Sequence, residues 1–437
     1  MLATDRYGNA LSTTNRTAID RLDEAAEAIL GYRDDPLAAV DAAIAAQPDF
    51  AMAHAFRAGL MVMSGEAAGA AEGLRSVAEG EALRHATARE RAHLAAARAW
   101  CEGDMALAQS RYGALAAEHP RDLSAQQFAH TIDFFLGHAT GLRDRPTAAL
   151  RDWQEGEAGS NWLLGMQAFG LEECGSYALA EQAGRMALAL NPADAWATHA
   201  VAHVLEMQGR DIEGVVFLKA READWGGAGL LAVHNWWHLA LYHLEQGDFG
   251  QVLAIYDQAV APRPGRVALE LVDASAMLWR LLLRGVPTGT RFAEVSAAWE
   301  ALGGTGFYAF NDLHAVMAHL GAGRVALAEE VMAAMRQAAL GAGTNARLTR
   351  DIGLPLAEGF GHVAGGDYRQ AVGRLLPVAG QAIGFGGSNA QRDVIWLTLL
   401  EAALRASEAG VARDLAGRRV AAKPESGFAR AQMARAA

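Results

Sequence analysis

Five residues on two stretches of this sequence have the types and spacing to do chemistry. His199, His203 and Glu206 stand at i, i+4 and i+7, one stripe of a single helix. In "VHNWWHLALYHLEQ", residues 233–246, His234 and His238 repeat the i, i+4 interval beside Asn235 and Trp237. Imidazoles next to carboxylates can pass a proton near neutral pH, the histidine acting as base and a second acid orienting it. Two histidines one turn apart plus a carboxylate, as in His199, His203 and Glu206, are also a geometrically sound set for zinc or iron, although no HExxH accompanies them. The competing reading of the same stripe is a buried hydrogen-bond network that fixes helix register. Nucleophile contexts are missing: Cys101 and Cys174 lack one, and neither GxSxG nor GxxxxGKS occurs.

Those residues need helices to hold them, and the composition supplies helix formers. The 437 residues include only 11 prolines, with alanine and leucine abundant, which predicts an all-α protein. The formal charge of −12 argues against nucleic acid or an anionic membrane as an obligate partner. Two cysteines cannot build a disulfide framework, which favours a reducing compartment. The N-terminal "MLATDRYGNALSTTNR" lacks the pattern of a signal peptide, and no apolar run reaches the ~18 residues of a membrane span. A cytoplasmic location is the expectation.

Glycines set the period. Gly65, Gly137 and Gly209 are 72 residues apart, as are Gly103, Gly175 and Gly247. Interleaved, the steps alternate between 38 and 34, and the series runs on through Gly285, Gly323 and Gly366. Each glycine should end one helix as a left-handed cap before the next begins. "WCEGDMALAQSRYGALAAEHP" and "LEECGSYALAEQAGRMALALNP" show whole units, closed by Pro120 and Pro192. The pattern resembles the tetratricopeptide repeat, in which small residues at the eighth and twentieth places let paired helices approach closely. The expected organisation is one domain, 1–437: an N-terminal segment over 1–16, about eleven degenerate repeats over 17–424, and a tail over 425–437. The resemblance implies a right-handed superhelix, an α-solenoid with a concave inner surface that could curl around a central channel.

In that repeat class the first helix of each unit lines the concave face through its second, fifth, ninth, twelfth and thirteenth places. Units begin near residues 161, 195 and 233. The lining residues are then Trp162, Gly165, Phe169, Glu172 and Glu173; His199, His203 and Glu206; and His234, Trp237 and Glu245. The expectation is a shared hollow of acids and imidazoles walled by Trp162, Phe169 and Trp237, with Trp236 facing the core. His243 and His319 fall at packing places, and His54, His85, His93 and His119, which do not cluster, are assigned to surface or structure. One further segment, "GFGGSNAQRDVIW", places glycines 384, 386 and 387 in a flexible loop before a helix starting near Gln391. Backbone N–H groups there could hold an anion beside Gln391, Arg392 and Asp393. Equally, Ser388 or Asn389 could simply cap the helix.

The blocks "GMQAFGLEECGSYALAE", "WATHAVAHVLEMQGRDIEG", "HNWWHLALYHLEQGDF", "LVDASAMLWRL" and "GGSNAQRDVIW" together resemble the tetratricopeptide repeat protein 38 family, in order along most of the chain. The resemblance implies that Glu172, His199, His203, Glu206, His234, Asn235, His238, Asp273, Gln391, Arg392 and Asp393 belong to the family's recurring blocks. Asn389 departs from the histidine expected at its place. The function expected is binding of a small polar or aromatic molecule in the interior. Hydrolysis or proton transfer by Glu172, His199, His203, Glu206, His234 and His238 could follow. Trp162, Phe169, Glu173, Asn235, Trp237, Glu245, Asp273, Gln391, Arg392 and Asp393 would bind the ligand. The alternatives are a non-catalytic adaptor for a protein or peptide and a hydrolase that depends on a divalent metal.

Overall fold

All nine glycines of the series adopt positive φ, from 61° to 82°, where a Cβ would be strained. The next position along the chain is patterned too. In three places it is aspartate, and each side chain caps the next helix. Asp104 accepts from Leu107 N at 3.1 Å, Asp248 from Gln251 N at 3.2 Å and Asp367 from Gln370 N at 3.3 Å. A left-handed glycine ends one helix and an aspartate starts its partner, so the chain turns back within a few residues.

The computed structural model describes residues 3–227, 229–263 and 266–437. It is all-α, and the Thr4–Ala10 bridge is the single β feature among the described residues. Two compact units share the chain, Met1–Val201 with Gly227–Leu231, and Ala202–Gly226 with Ala232–Ala437. The division falls inside one helix.

In the first unit, α1 (Arg16–Gly31) packs on α2 (Pro36–Ala46), and α3 (Ala51–Val62) on α4 (Ala67–Glu81). The pairs α5 (Ala88–Cys101) with α6 (Met105–Glu118) and α7 (Leu123–Phe135) with α8 (Ala139–Ala149) come next. The last is α9 (Ser160–Glu173) with α10 (Tyr177–Leu190). Neighbouring pairs also touch, as α3 does α5 and α8 does α9. This is the stacking of a tetratricopeptide-like solenoid. Gly170 shows how close it is: a Cβ there would stand 2.3 Å from the Leu142 backbone.

α11 (Ala195–Met207) crosses the division and leads into α12 (Asp211–Ala220), the short α13 (Glu222–Trp225) and α14 (Leu230–Gln246). The second unit continues with α15 (Phe249–Ile255), α16 (Ala268–Leu283), α17 (Arg291–Leu302), α18 (Ala309–Gly321) and α19 (Val325–Ala338). After α20 (Thr344–Leu348) come α21 (Leu354–Ala364), α22 (Tyr368–Leu375), α23 (Asn389–Arg405), α24 (Ala409–Ala422) and α25 (Gly427–Ala436). Sequential pairs recur at α16–α17, α18–α19, α21–α22 and α23–α24. No described helix is long and apolar enough to cross a membrane. Both cysteines are free thiols.

The segment before α23 differs from the flexible loop expected there. Residues Ala379–Phe385 form a 3-10 helix, and α23 begins at Asn389, two residues before Gln391. Ser388 and Gln391 make a reciprocal capping box, Ser388 N donating to Gln391 Oε1 at 3.0 Å and Gln391 N to Ser388 Oγ at 3.2 Å. The arrangement S-x-x-Q satisfies the helix start from within, so of the two readings the cap is the one built. Arg392 reinforces it by donating to Gly387 O and, at 2.8 Å, to Asn389 Oδ1.

Candidate functional site

The second unit gathers three of the expected histidines. His203 lies on α11 and His234 and His238 lie one turn apart on α14. Ring centroids are 4.4 Å apart for His203 and His238, 4.8 Å for His234 and His238, and 6.4 Å for His203 and His234. His203 and His238 are wholly buried, while the His234 side chain keeps 14% of its exposure.

Each of the two α14 histidines is held by a carboxylate from a different helix. His238 Nδ1 lies 2.9 Å from Glu206 Oε2, and His234 Nδ1 lies 2.7 Å from Asp273 Oδ2 on α16. An ionised carboxylate only accepts, so these contacts put the ring proton on Nδ1 and leave the lone pair on Nε2. Burial drives both His238 and His203 well below the ordinary histidine value. Neighbouring groups that disfavour a further positive charge add to it, His234 and Arg280 for His238, and His238, His234 and Arg392 for His203. Burial raises the Glu206 carboxyl, against the opposing pull of Lys423 and Arg280.

Trp237 forms the floor of this group. It is fully buried, stacks on His234 at 5.1 Å and 14°, and has the Arg280 guanidinium 5.2 Å from its ring centroid. Its neighbour Trp236 was expected in the core, yet it is half-buried and meets Trp225 edge-on at 5.0 Å. Asn235 is wholly buried, and neither of its side-chain polar atoms has a hydrogen-bond partner among the described residues. The same holds for Trp237 Nε1 and for Asp273 Oδ1.

Glu206 also borders a cavity of about 270 Å³ within the second unit, together with Glu245, Asp393, Arg419, Lys423 and Ser426. Glu245 accepts from the Ser426 hydroxyl and lies 3.7 Å from Arg284. Asp393 accepts from Arg419 at 2.5 Å. Burial raises its carboxyl, but Arg419, Arg280 and Lys423 outweigh that and hold it below the usual value. Lys423 makes no ion pair among the described residues. Glu206, Glu245 and Asp393, named separately in the sequence reading, border this one opening. Arg280, Arg419, Lys423 and Ser426 were missed. Arg280 and Arg419 lie on α16 and α24, and Lys423 and Ser426 between α24 and α25, all far along the chain from Glu206.

The first unit treats its share of the expected site differently. Trp162 is an apolar core residue, packed with Leu30, Leu123, Trp153, Leu163 and Met166. Phe169 belongs to a second core cluster with Leu142, Ala168, Ala183 and Ala200. His199 lies 5.2 Å from the Phe169 ring and 4.8 Å from Trp196. Glu172 is fully buried at the end of α9 and Glu173 half-buried beside it. Two of the three aromatic walls expected for a hollow, Trp162 and Phe169, are thus packing residues of this unit. Periodicity could not separate them, because a first helix of this repeat is apolar on more than one face.

Among histidines outside the expected site, His93 is wholly buried, with Nε2 2.8 Å from Asp122 Oδ2. His319 Nδ1 lies 2.7 Å from Ser296 Oγ, at a packing place as expected.

No family model matches the chain. Among solved structures, it is similar to a human IFIT1 dimer with m7Gppp-AAAA, 14% identical over 95% of this chain and 94% of that one, TM-score 0.41. It is also similar to a monomeric IFIT1 mutant with Gppp-AAAA, 15% identical over 96% and 95%, TM-score 0.39. A third, the P58(IPK) TPR domain, is 12% identical over 90% and 99%, TM-score 0.22. At such scores and identities the likeness carries no argument about what this chain binds.

Proposed function

We propose that the protein is a tetratricopeptide-type binding protein of the tetratricopeptide repeat protein 38 family. On this reading the second unit takes a small molecule carrying both a cationic and an anionic group. One observation carries it: the cavity of about 270 Å³ has on its wall Lys423, which has no ion pair among the described residues, and Glu206, whose Oε2 meets His238, while Asp393 is paired with Arg419 and Glu245 with Arg284. That volume is at the small end of ligand sites. Opposite charges in one recess favour a zwitterion over a simple anion, since a lone anion would leave Glu206 facing it. Glu206 touches both the cavity and His238, so it is the residue through which a bound molecule could exchange a proton.

The test is thermal stabilisation of the full chain by a panel of free amino acids and related zwitterions. A ligand at a hundred times its Kd should add about 2.7 kcal/mol. Lys423→Ala and Glu206→Gln should each remove that gain. A second reading is an adaptor for a protein or peptide, the common role of such solenoids. Silence across the panel, with a stoichiometric protein partner recovered by affinity capture, would replace the first reading by the second.

A further inference from the structure

The three imidazoles of the second unit touch one another, with ring centroids 4.4–6.4 Å apart. His203, His234 and His238 can each offer a ring nitrogen such that these atoms lie within 4.8 Å of one another. Two come from one helix at i, i+4 and the third from another, so their backbones are fixed by helices rather than loops. Two of the three have Nδ1 on a carboxylate, at 2.7 Å for His234–Asp273 and 2.9 Å for His238–Glu206. Histidines that bind a metal commonly donate their second N–H to a carboxylate, which selects the tautomer and raises ligand basicity. Asp273 is 2% exposed, and its Oδ1 accepts no hydrogen bond among the described residues. A buried carboxylate oxygen left so costs about 1–3 kcal/mol, a cost a nearby cation reduces.

We propose that His203, His234 and His238 bind one divalent transition-metal ion, with Glu206 and Asp273 as the positioning residues of two of the ligands. This differs from the set read in the sequence, in which Glu206 would itself be a ligand beside His199 and His203. Here Glu206 is engaged with His238 Nδ1, and His199 belongs to the first unit. Three neutral nitrogens and no thiolate favour zinc, copper, nickel or iron over calcium or magnesium. Zinc at ~2.0–2.1 Å from each nitrogen would draw them to roughly 3.3 Å apart, a closure that small side-chain rotations can provide. The His234 side chain keeps 14% of its exposure, which gives an ion a route in from solvent.

The experiment uses the full chain stripped with a chelator and titrated with Co2+ alone, followed by visible absorption, then with Zn2+ to displace it. It requires no organic ligand, so its outcome is separate from that of the cavity reading. The expected result is one Co2+ per chain with the intense bands of four-coordinate cobalt, lost on adding Zn2+. His234→Ala, a substitution at the partly exposed ligand, should abolish the bands with circular dichroism unchanged. His238→Ala should do the same if it folds. Asp273→Asn and Glu206→Gln should weaken Zn2+ binding by about 10- to 100-fold. Wild-type protein that takes up no stoichiometric Co2+, or Co2+ binding that His234→Ala leaves intact, overturns the proposal.

Discussion

Each unit buries a histidine against a carboxylate, but the two arrangements serve different ends. In the first, Asp122 is saturated: it accepts from Arg89, meets His93 Nε2 at 2.8 Å, and caps α7 by accepting from Ala125 N at 3.0 Å. Burial raises its carboxyl, yet His93 and Arg89 overcome that and hold it far below the ordinary range. Every charge there has its opposite, and the group ties α5 to α7. In the second unit the carboxylates are divided, one to each of two histidines, and a third histidine stands beside them. Two of the three imidazoles are held by carboxylates, and Asp273 keeps an oxygen in reserve. A buried imidazole is therefore uninformative by itself. Its carboxylate's other commitments say whether it is a rivet or a ligand.

That contrast can be broken most forcefully at Arg89. Arg89→Met leaves Asp122 buried without its guanidinium and should cost about 3–5 kcal/mol in chemical denaturation, with Co2+ uptake by the folded protein unchanged. A cost under ~1 kcal/mol, the range of an exposed pair, would mean that the first unit's group is not structural.

Next in size is an acid effect in the first unit. His130 is buried between Phe169 and Trp196, and neither ring nitrogen has a hydrogen-bond partner among the described residues. Burial lowers it to about 4. A group depressed in the fold stabilises it above its unfolded value, and that contribution disappears as pH falls from ~6.5 through ~4. Wild type should lose up to about 3 kcal/mol more than His130→Leu between pH 7 and pH 4, measured by urea denaturation. Parallel curves would show that His130 is already protonated or solvated.

Smaller again is Gly214→Ala in the second unit. The added Cβ would fall 2.3 Å from the Tyr242 ring, whose hydroxyl donates to Ala202 O at 2.7 Å, and about 1–3 kcal/mol should be lost. Ser388→Ala removes half of the capping box and should cost about 1 kcal/mol, with no change in anion binding. A drop in phosphate affinity would instead revive the anion reading of that helix start.

Much of this architecture was legible in the chain. A left-handed turn tolerates little but glycine, so the spacing of Gly65 through Gly366 exposed the helix ends directly. The i, i+4 histidines were legible for the same reason, since helical geometry is local. The commitments of the carboxylates were not. Glu206 reaches His238 and Asp273 reaches His234 across 32 and 39 residues, and Arg280, Arg419 and Lys423 lie further still. Nor could apolar spacing say that Trp162 and Phe169 pack in core clusters. Burial depends on which neighbour arrives, and that is written elsewhere in the sequence.

The glycine turns carry a practical corollary. Because same-phase turns from Gly65 to Gly247 recur every 72 residues and helices stop on either side, they mark seams where the protein can be cut and rejoined without severing a helix. Splicing in a duplicate block from Gly103 to Gly175, seam to seam, should lengthen the first unit by two helix pairs while every junction keeps its native hinge.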